Sequence, residues 1–332
     1  MKVLRLHAPS DLRLHDEPPP TPTIGEVLLR VQAVGICGSD LHWFRESGIG
    51  DALLVQPLVL GHEIAAVDER TGQLVAVDPS IPCGQCEFCL EGNPNLCLAV
   101  RFAGHAEVDG GFRQYFSWLE RNLFPLPEKL DAAAGVMLEP FGVALHAVDL
   151  AHLRPGMHIG VFGCGPIGLL IIQLACLSGA ARITATDRLP HRVEAARQLG
   201  ARQAIQVDET GFLPHLQELD GARGLDVVFE VAGENQAIES AITATKPGGK
   251  VILVGIPAQD STSFRASTAR RKGLTIKLCR RMKNTYPRAI DLLSRGKVEV
   301  NSLVTHRFPL DRALEAFTVA DRREGLKVII EP

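Results

Sequence analysis

The sequence lacks any strong charge bias. Over 332 residues, 35 lysines and arginines face 38 aspartates and glutamates, a formal net charge of −3. That balance offers no field for a phosphate backbone and argues against a nucleic-acid partner. The tightest basic cluster, Arg270-Arg271-Lys272, is too small to change this and reads as a solvated face. Nor do the first residues read as a signal peptide. Met1 to His7 alternates polar and apolar residues like a half-buried strand and has no long apolar core, so export is not expected and a cytoplasmic location is. Repeats at solenoid periods are absent. One uncharged stretch, Ile159 to Ala181, is long enough to span a bilayer. It contains Gly160, Gly163, Gly165, Pro166, Gly168 and Gly179, and its first half is spaced as strand, turn and helix, so no membrane partner is expected either.

What is present reads as a soluble globular chain, 46% hydrophobic and 22% charged, and too long for one hydrophobic core. Residues 1–148 are strand-rich, with Val27-Leu28-Leu29-Arg30-Val31 and Val75-Ala76-Val77 between Gly and Pro punctuation, as in a compact barrel-like domain. Pro18-Pro19-Pro20 and Pro22 form an extended connector. Residues 149–284 alternate apolar strands (159–162, 183–186, 226–231, 250–254) with helical segments (167–177, 191–199), which predicts a doubly wound parallel sheet: an α/β domain beside a β domain. Residues 285–332 hold two amphipathic segments, 288–294 and 310–320, and a closing strand over 326–330.

Four of the eight cysteines, Cys83, Cys86, Cys89 and Cys97, fall within fifteen residues in a chain without secretory features. That density suits a metal site in a reducing compartment better than a disulfide framework. Zinc in structural sites takes four thiolates tetrahedrally, and Gly84, Gly92, Asn93, Pro94 and Asn95 supply the turns of such a lobe, at about residues 80–100. Iron–sulfur ligation is the competing reading, and four unrelated buried thiols the bland one. A site closed by four protein ligands stabilises its lobe and leaves no position for substrate.

Gly35-Ile36-Cys37-Gly38-Ser39-Asp40-Leu41-His42 gathers a thiol, a hydroxyl and an imidazole within six positions. Leu60-Gly61-His62-Glu63 adds an imidazole beside a carboxylate, and Leu138-Glu139-Pro140 an acid in an apolar context. Cys, His and Glu form a mixed ligand set of the kind that leaves a catalytic zinc one open position. Spacing alone also allows a buried bend at Cys37, a satisfied core histidine at His62 and a solvated acid at Glu139.

Val161-Phe162-Gly163-Cys164-Gly165-Pro166-Ile167-Gly168 is G-x-G-x-x-G directly after a strand and opening a helix. Gly163 permits the tight turn, Gly165 the approach of a pyrophosphate to backbone N–H groups, including those around Pro166 and Ile167, and Gly168 close packing of helix on sheet. Asp187 follows Gly168 by nineteen residues, where its carboxylate can accept both adenosine ribose hydroxyls and repel a 2′-phosphate. NAD is therefore favoured over NADP, although Arg188 or Arg192 could serve a phosphate.

Taken together these motifs resemble the zinc-dependent medium-chain dehydrogenase/reductase family, and within it the sorbitol (polyol) dehydrogenase branch. The resemblance extends through Asn284-Thr285-Tyr286-Pro287, Leu303 to Pro309 and Ala313 to Phe317. It implies a GroES-like catalytic domain (1–148 and 285–332) with an inserted Rossmann NAD-binding domain (149–284). It further implies two zinc ions per chain and a homodimer or homotetramer, for which Gly273 to Leu278 is a candidate edge strand. By motif position Cys37 and His62 are implied direct ligands of the catalytic zinc, with Glu63 completing the site directly or through water and Glu139 as the branch's distinguishing acid. Ser39 is implied to bond the reacting hydroxyl and His42 to relay its proton. Arg281, Glu139 and Trp43 are the implied substrate residues, with Trp43 replacing a frequent tyrosine. The implied reaction oxidises a secondary alcohol of a polyol to a ketose with hydride transfer to NAD. Threonine-type or simple secondary alcohols are the alternative substrates, and a non-catalytic cofactor-binding relative is a remote alternative.

Overall fold

The computed structural model describes residues 1–218, 223–257 and 261–332. Two compact units divide the chain: Met1–Pro140 with Lys283–Pro332, and Phe141–Met282.

The first unit is built on a seven-stranded mixed sheet. Its path runs Leu123–Pro125, Leu74–Val77, Glu63–Asp68, Glu26–Gly35, Lys327–Glu331 and Val304–Pro309, and Tyr115–Leu119 also pairs with Glu26–Gly35. Only the last two strands of the path run parallel to each other. Glu26–Gly35 is the organising strand. Val27, Leu29, Val31 and Ala33 are buried at alternating positions, as the pleat requires. A register shift between Val31 and Ala33 against the Glu63–Asp68 strand then leaves Val34 and Gly35 both buried, and the chain enters the Cys37 turn from the interior. Phe44, Phe112, Phe116, Trp118 and Phe317 fill the core beneath, with Phe112 edge-on to Phe317 and Phe116 stacked on Trp118.

The second unit is a six-stranded parallel sheet: β1 (His158–Phe162), β2 (Arg182–Asp187), β3 (Gln203–Gln206), β4 (Leu225–Glu230), β5 (Thr245–Leu253) and β6 (Thr275–Leu278). The spatial order is 3-2-1-4-5-6, with every neighbouring pair parallel, the doubly wound dinucleotide-binding arrangement. The candidate edge strand is β6 at the sheet margin, with Leu278 77% exposed. β5 begins five residues before its apolar run, because Leu225 already pairs with Thr245 and Pro247-Gly248-Gly249 forms a bulge before Val227 meets Lys250.

The uncharged run at 159–181 forms β1, the glycine turn and the helix Pro166–Leu177, whose residues 168–175 are all buried. Among the described residues one helix, Ala132–Ala151, is long and apolar enough to cross a membrane, and 78% of its most apolar window is packed inside the protein.

Candidate active site

Cys37 caps the helix Gly38–Glu46 with extended backbone, φ −94° and ψ 160°. The side chain of Asp40, at the third position of the helix, accepts the Cys37 backbone N–H at 2.9 Å, a favourable place for a carboxylate at a helix N-terminus. Asp40 is 1% exposed and its other oxygen also bonds: Oδ1 accepts from Gly61 N–H at 3.1 Å and lies 3.5 Å from His62 Nδ1. One carboxylate thereby ties the start of the helix to the turn before Glu63 and fixes the His62 ring by one nitrogen. The other nitrogen, Nε2, stands 3.5 Å from Ser39 Oγ. Burial opposes charging this imidazole, but Asp40 and Cys37 outweigh it and hold its pKa well above the usual value. A metal at Nε2 would take the place of that proton.

Glu63 opens its strand opposite Gly35, fully buried. Lys327 Nζ donates to both of its carboxylate oxygens at 2.7 Å and to the Ile36 carbonyl at 3.2 Å. Gly35 makes the arrangement possible, since a Cβ there would lie 1.9 Å from Glu63 Oε2. Ligand atoms of Cys37, His62 and Glu63 all lie within 4.8 Å of one another. A thiol, an imidazole and a carboxylate at that mutual distance fit a single zinc-like ion, with room for one further ligand.

Glu139 is not in this three-atom group. It sits on the helix Ala132–Ala151 beside Pro140, 5% exposed. Burial pushes its carboxyl up to about 7, His62 draws it down, and Glu63 raises it again, so it shares the electrostatics of the group. His42 is half-buried and 4.0 Å from Glu46, with its pKa lowered by burial. Ser39 and His42, three residues apart on one helix, share a face. Trp43 is 1% exposed, its ring edge-on to His105. Arg281 belongs to the second unit, half-buried, with left-handed backbone at φ 50°.

The four clustered cysteines also converge within 4.8 Å. Cys86 Sγ lies 3.5 Å from Cys89 Sγ, which is 4.0 Å from Cys83 Sγ. A tetrahedral ion with zinc–sulfur bonds of about 2.3 Å would space its sulfurs by about 3.8 Å, whereas a cluster spreads them over several irons. Backbone N–H groups of Gln85 and Cys86 draw the Cys83 thiol down to about 6, toward the thiolate a metal needs. The short helix Glu87–Leu90 and the turn Pro94–Leu96 deliver Cys89 and Cys97.

In the second unit, Gly163 follows β1 at φ 103°, and a Cβ there would meet the Ala232 backbone N at 2.7 Å. Gly168 lies so close under the turn that a Cβ would come within 2.0 Å of the Gly163 carbonyl. Between these buried glycines, Gly165, Pro166 and Ile167 keep some exposure at the N-terminus of a twelve-residue helix, a cradle shaped for a phosphate. Asp187 ends β2, and its carboxylate accepts the N–H groups of Cys164 at 2.8 Å and Leu189 at 2.9 Å. Arg188 pairs with Glu234 at 2.6 Å. Arg192 lies against the turn, its Nη1 3.7 Å from where a Gly165 Cβ would stand.

Two residues of the first site escape motif reading: Asp40, inside the Cys37 stretch, and Lys327, in the closing strand. No local signal marks Lys327. Asp40 is marked only by its place three residues after a helix-capping position.

Comparison with known proteins agrees with this geometry. Residues 23–128 match the alcohol dehydrogenase GroES-like domain family and residues 166–295 the zinc-binding dehydrogenase family. The chain is 36% identical to a sorbitol dehydrogenase of Bacillus subtilis over 100% of its own length and 97% of the relative's. An Escherichia coli oxidoreductase/dehydrogenase of unknown specificity superposes with a TM-score of 0.93, at 31% identity, covering 99% of this chain and 98% of that one. A second Escherichia coli structure, described as a short chain alcohol dehydrogenase in complex with NADH, superposes with a TM-score of 0.91 at 29% identity, covering 100% and 99%.

Proposed function

The chain belongs to the zinc-dependent medium-chain dehydrogenase/reductase family, in its sorbitol dehydrogenase-like branch, and we propose that it oxidises one secondary alcohol of a polyol or sugar alcohol to a ketose. The two electrons and one hydrogen leave as hydride to NAD and the remaining hydrogen leaves as a proton. The observation that carries the reading is the convergence of Cys37, His62 and Glu63 within 4.8 Å, with Ser39 Oγ 3.5 Å from His62 Nε2.

In this reading Cys37, His62 and Glu63 would hold the catalytic zinc, and Glu139, coupled to His62 and Glu63 electrostatically, would be the further acid of the site. Bound there, zinc supplies Lewis acidity that lowers the alcohol pKa, and NAD supplies the hydride acceptor. Ser39 accepts the hydroxyl proton and His42, on the same helix face, passes it to solvent. Asp40 keeps His62 Nδ1 occupied so that Nε2 faces the ion, as a ligand's outer partner does. Cys83, Cys86, Cys89 and Cys97 hold a second, structural zinc. Gly163 to Gly168 receive the pyrophosphate and Asp187 the adenosine ribose. Arg281 is the proposed substrate-hydroxyl partner. The protein is read as a cytoplasmic homo-oligomer, with β6 at the margin of its sheet as the edge that pairing would use.

The test is NAD reduction with sorbitol, xylitol, L-idonate, galactitol, threonine and 2,3-butanediol. Oxidation of the polyols is expected; turnover confined to threonine or butanediol would replace the polyol reading with the amino-alcohol or simple-alcohol one.

A further inference from the structure

The Arg188–Glu234 ion pair has no part in the chemistry above. Arg188 is the first residue after β2, and Glu234 lies in the loop that follows β4. β2 and β4 flank β1. The contact from Arg188 Nη2 to Glu234 Oε2, 2.6 Å, therefore links the two loops that border the glycine turn at the carboxyl end of β1. In an open parallel sheet that end of the strands is where a ligand binds. The backbone on both sides is fixed: Asp187 holds the Cys164 and Leu189 N–H groups, and Glu230 Oε1 accepts from Ala232 and Gly233, each at 2.7 Å. The paired side chains keep 45% and 36% exposure, so they stand at the rim where a ligand can reach them.

Arg192 sits against Gly165, on the side of the turn assigned to the pyrophosphate. Arg188 is the guanidinium adjoining the carboxylate assigned to the ribose. A guanidinium in that place, with its fork available, is the group that accommodates a 2′-phosphate. Here Glu234 engages the fork and adds a second negative charge beside Asp187.

We propose that Glu234 is a cofactor-specificity residue: by holding Arg188 across the glycine turn it withholds that guanidinium from a 2′-phosphate. Preference for a free 2′-hydroxyl then depends on Glu234 as well as Asp187. The inference rests on the NAD reading of this cradle, and its test separates the two.

Binding of ADP-ribose and of 2′-phospho-ADP-ribose to the full-length, zinc-loaded protein is measured by calorimetry for wild type, Glu234→Gln, Arg188→Gln and the double variant. Glu234→Gln is expected to tighten 2′-phospho-ADP-ribose about tenfold while ADP-ribose changes less than about threefold, the scale of one freed charge-assisted contact. Arg188→Gln, which breaks the same pair, should give no gain, and the double variant should lose it. The proposal is overturned if Glu234→Gln binds the 2′-phosphate no tighter than wild type, or if the gain persists without Arg188. A wild type that binds neither compound removes the NAD reading itself, and this proposal with it.

Discussion

Lys327 Nζ donates to both carboxylate oxygens of Glu63 at 2.7 Å, across 264 residues of sequence. Both side chains are almost wholly buried, at 4% and 0%. Removing one member of such a pair strands the other's charge in a low-dielectric interior. Lys327→Met is expected to destabilise the first unit by about 3 kcal/mol or more, and the double variant Lys327→Met, Glu63→Gln to recover part of that loss. Denaturant titrations of the three proteins measure it; a loss below about 1 kcal/mol would mean that Glu63 is carried by other partners.

Asp40 Oδ1 stands 3.5 Å from His62 Nδ1 and holds that side of the ring. Asp40→Asn keeps the shape but removes the charge facing Nδ1, and its single acceptor oxygen cannot serve both the Cys37 N–H and the Gly61 and His62 side. Affinity for the catalytic metal is expected to fall about 10- to 100-fold. Chelator competition reads this directly, and the four-cysteine site should keep its zinc. Equal loss from both sites would point to unfolding instead.

Gly35→Ala tests the same pocket from the backbone side. The added Cβ would occupy the position of Glu63 Oε2, at 1.9 Å, and would crowd Val136 at 2.8 Å. Because the strand pairs on both sides at this residue, relief by backbone movement is limited. The variant is expected to lose catalytic-site metal and to unfold at a lower temperature, and metal analysis together with a melting curve reads both.

The parts of this molecule legible in the sequence are those whose cause is local. Gly163 to Gly168 specify a turn within one contiguous stretch, and the β1 to β6 alternation follows from apolar runs broken by helices. Cys83 to Cys97 converge because a short loop can bring close thiols together. Lys327 was not legible, because nothing near Leu326 says that the closing strand will lie beside Glu26–Gly35 and aim a lysine at Glu63. Asp40 reads as an ordinary polar helix residue until Gly61 is placed against it. The burial of Trp43 is likewise a tertiary fact, set by packing against His105.

Metal content separates the two proposed zinc sites. Two zinc ions per chain are expected for the wild type, and one after Cys37→Ala with the fold intact. Cys97→Ser should also leave one zinc, but with a clearly lower melting temperature, because a structural ion's binding energy is part of folding. If Cys37→Ala kept two ions, Cys37 would not be a ligand.

Glu230 gives a pH dependence that no metal site complicates. Its side chain is buried at the end of β4, with Oε1 accepting two backbone N–H groups and Oε2 without a hydrogen-bond partner. Burial raises the carboxyl from 4.5 to about 7, against the pull of those N–H groups. A raised acid binds its proton more tightly in the folded state than in the unfolded one, so folding takes up protons between these two values. The stabilisation is complete below about pH 4.5 and is lost as pH rises through about 7, by about 3 kcal/mol at most. Glu230→Gln keeps an oxygen for the Ala232 and Gly233 N–H groups and cannot ionise. Denaturant midpoints from pH 5 to pH 8 should therefore fall more steeply for wild type than for Glu230→Gln, with the curves diverging as pH rises. Parallel curves would mean that Glu230 is already ionised at pH 5 in the folded protein, its Oε2 satisfied by water.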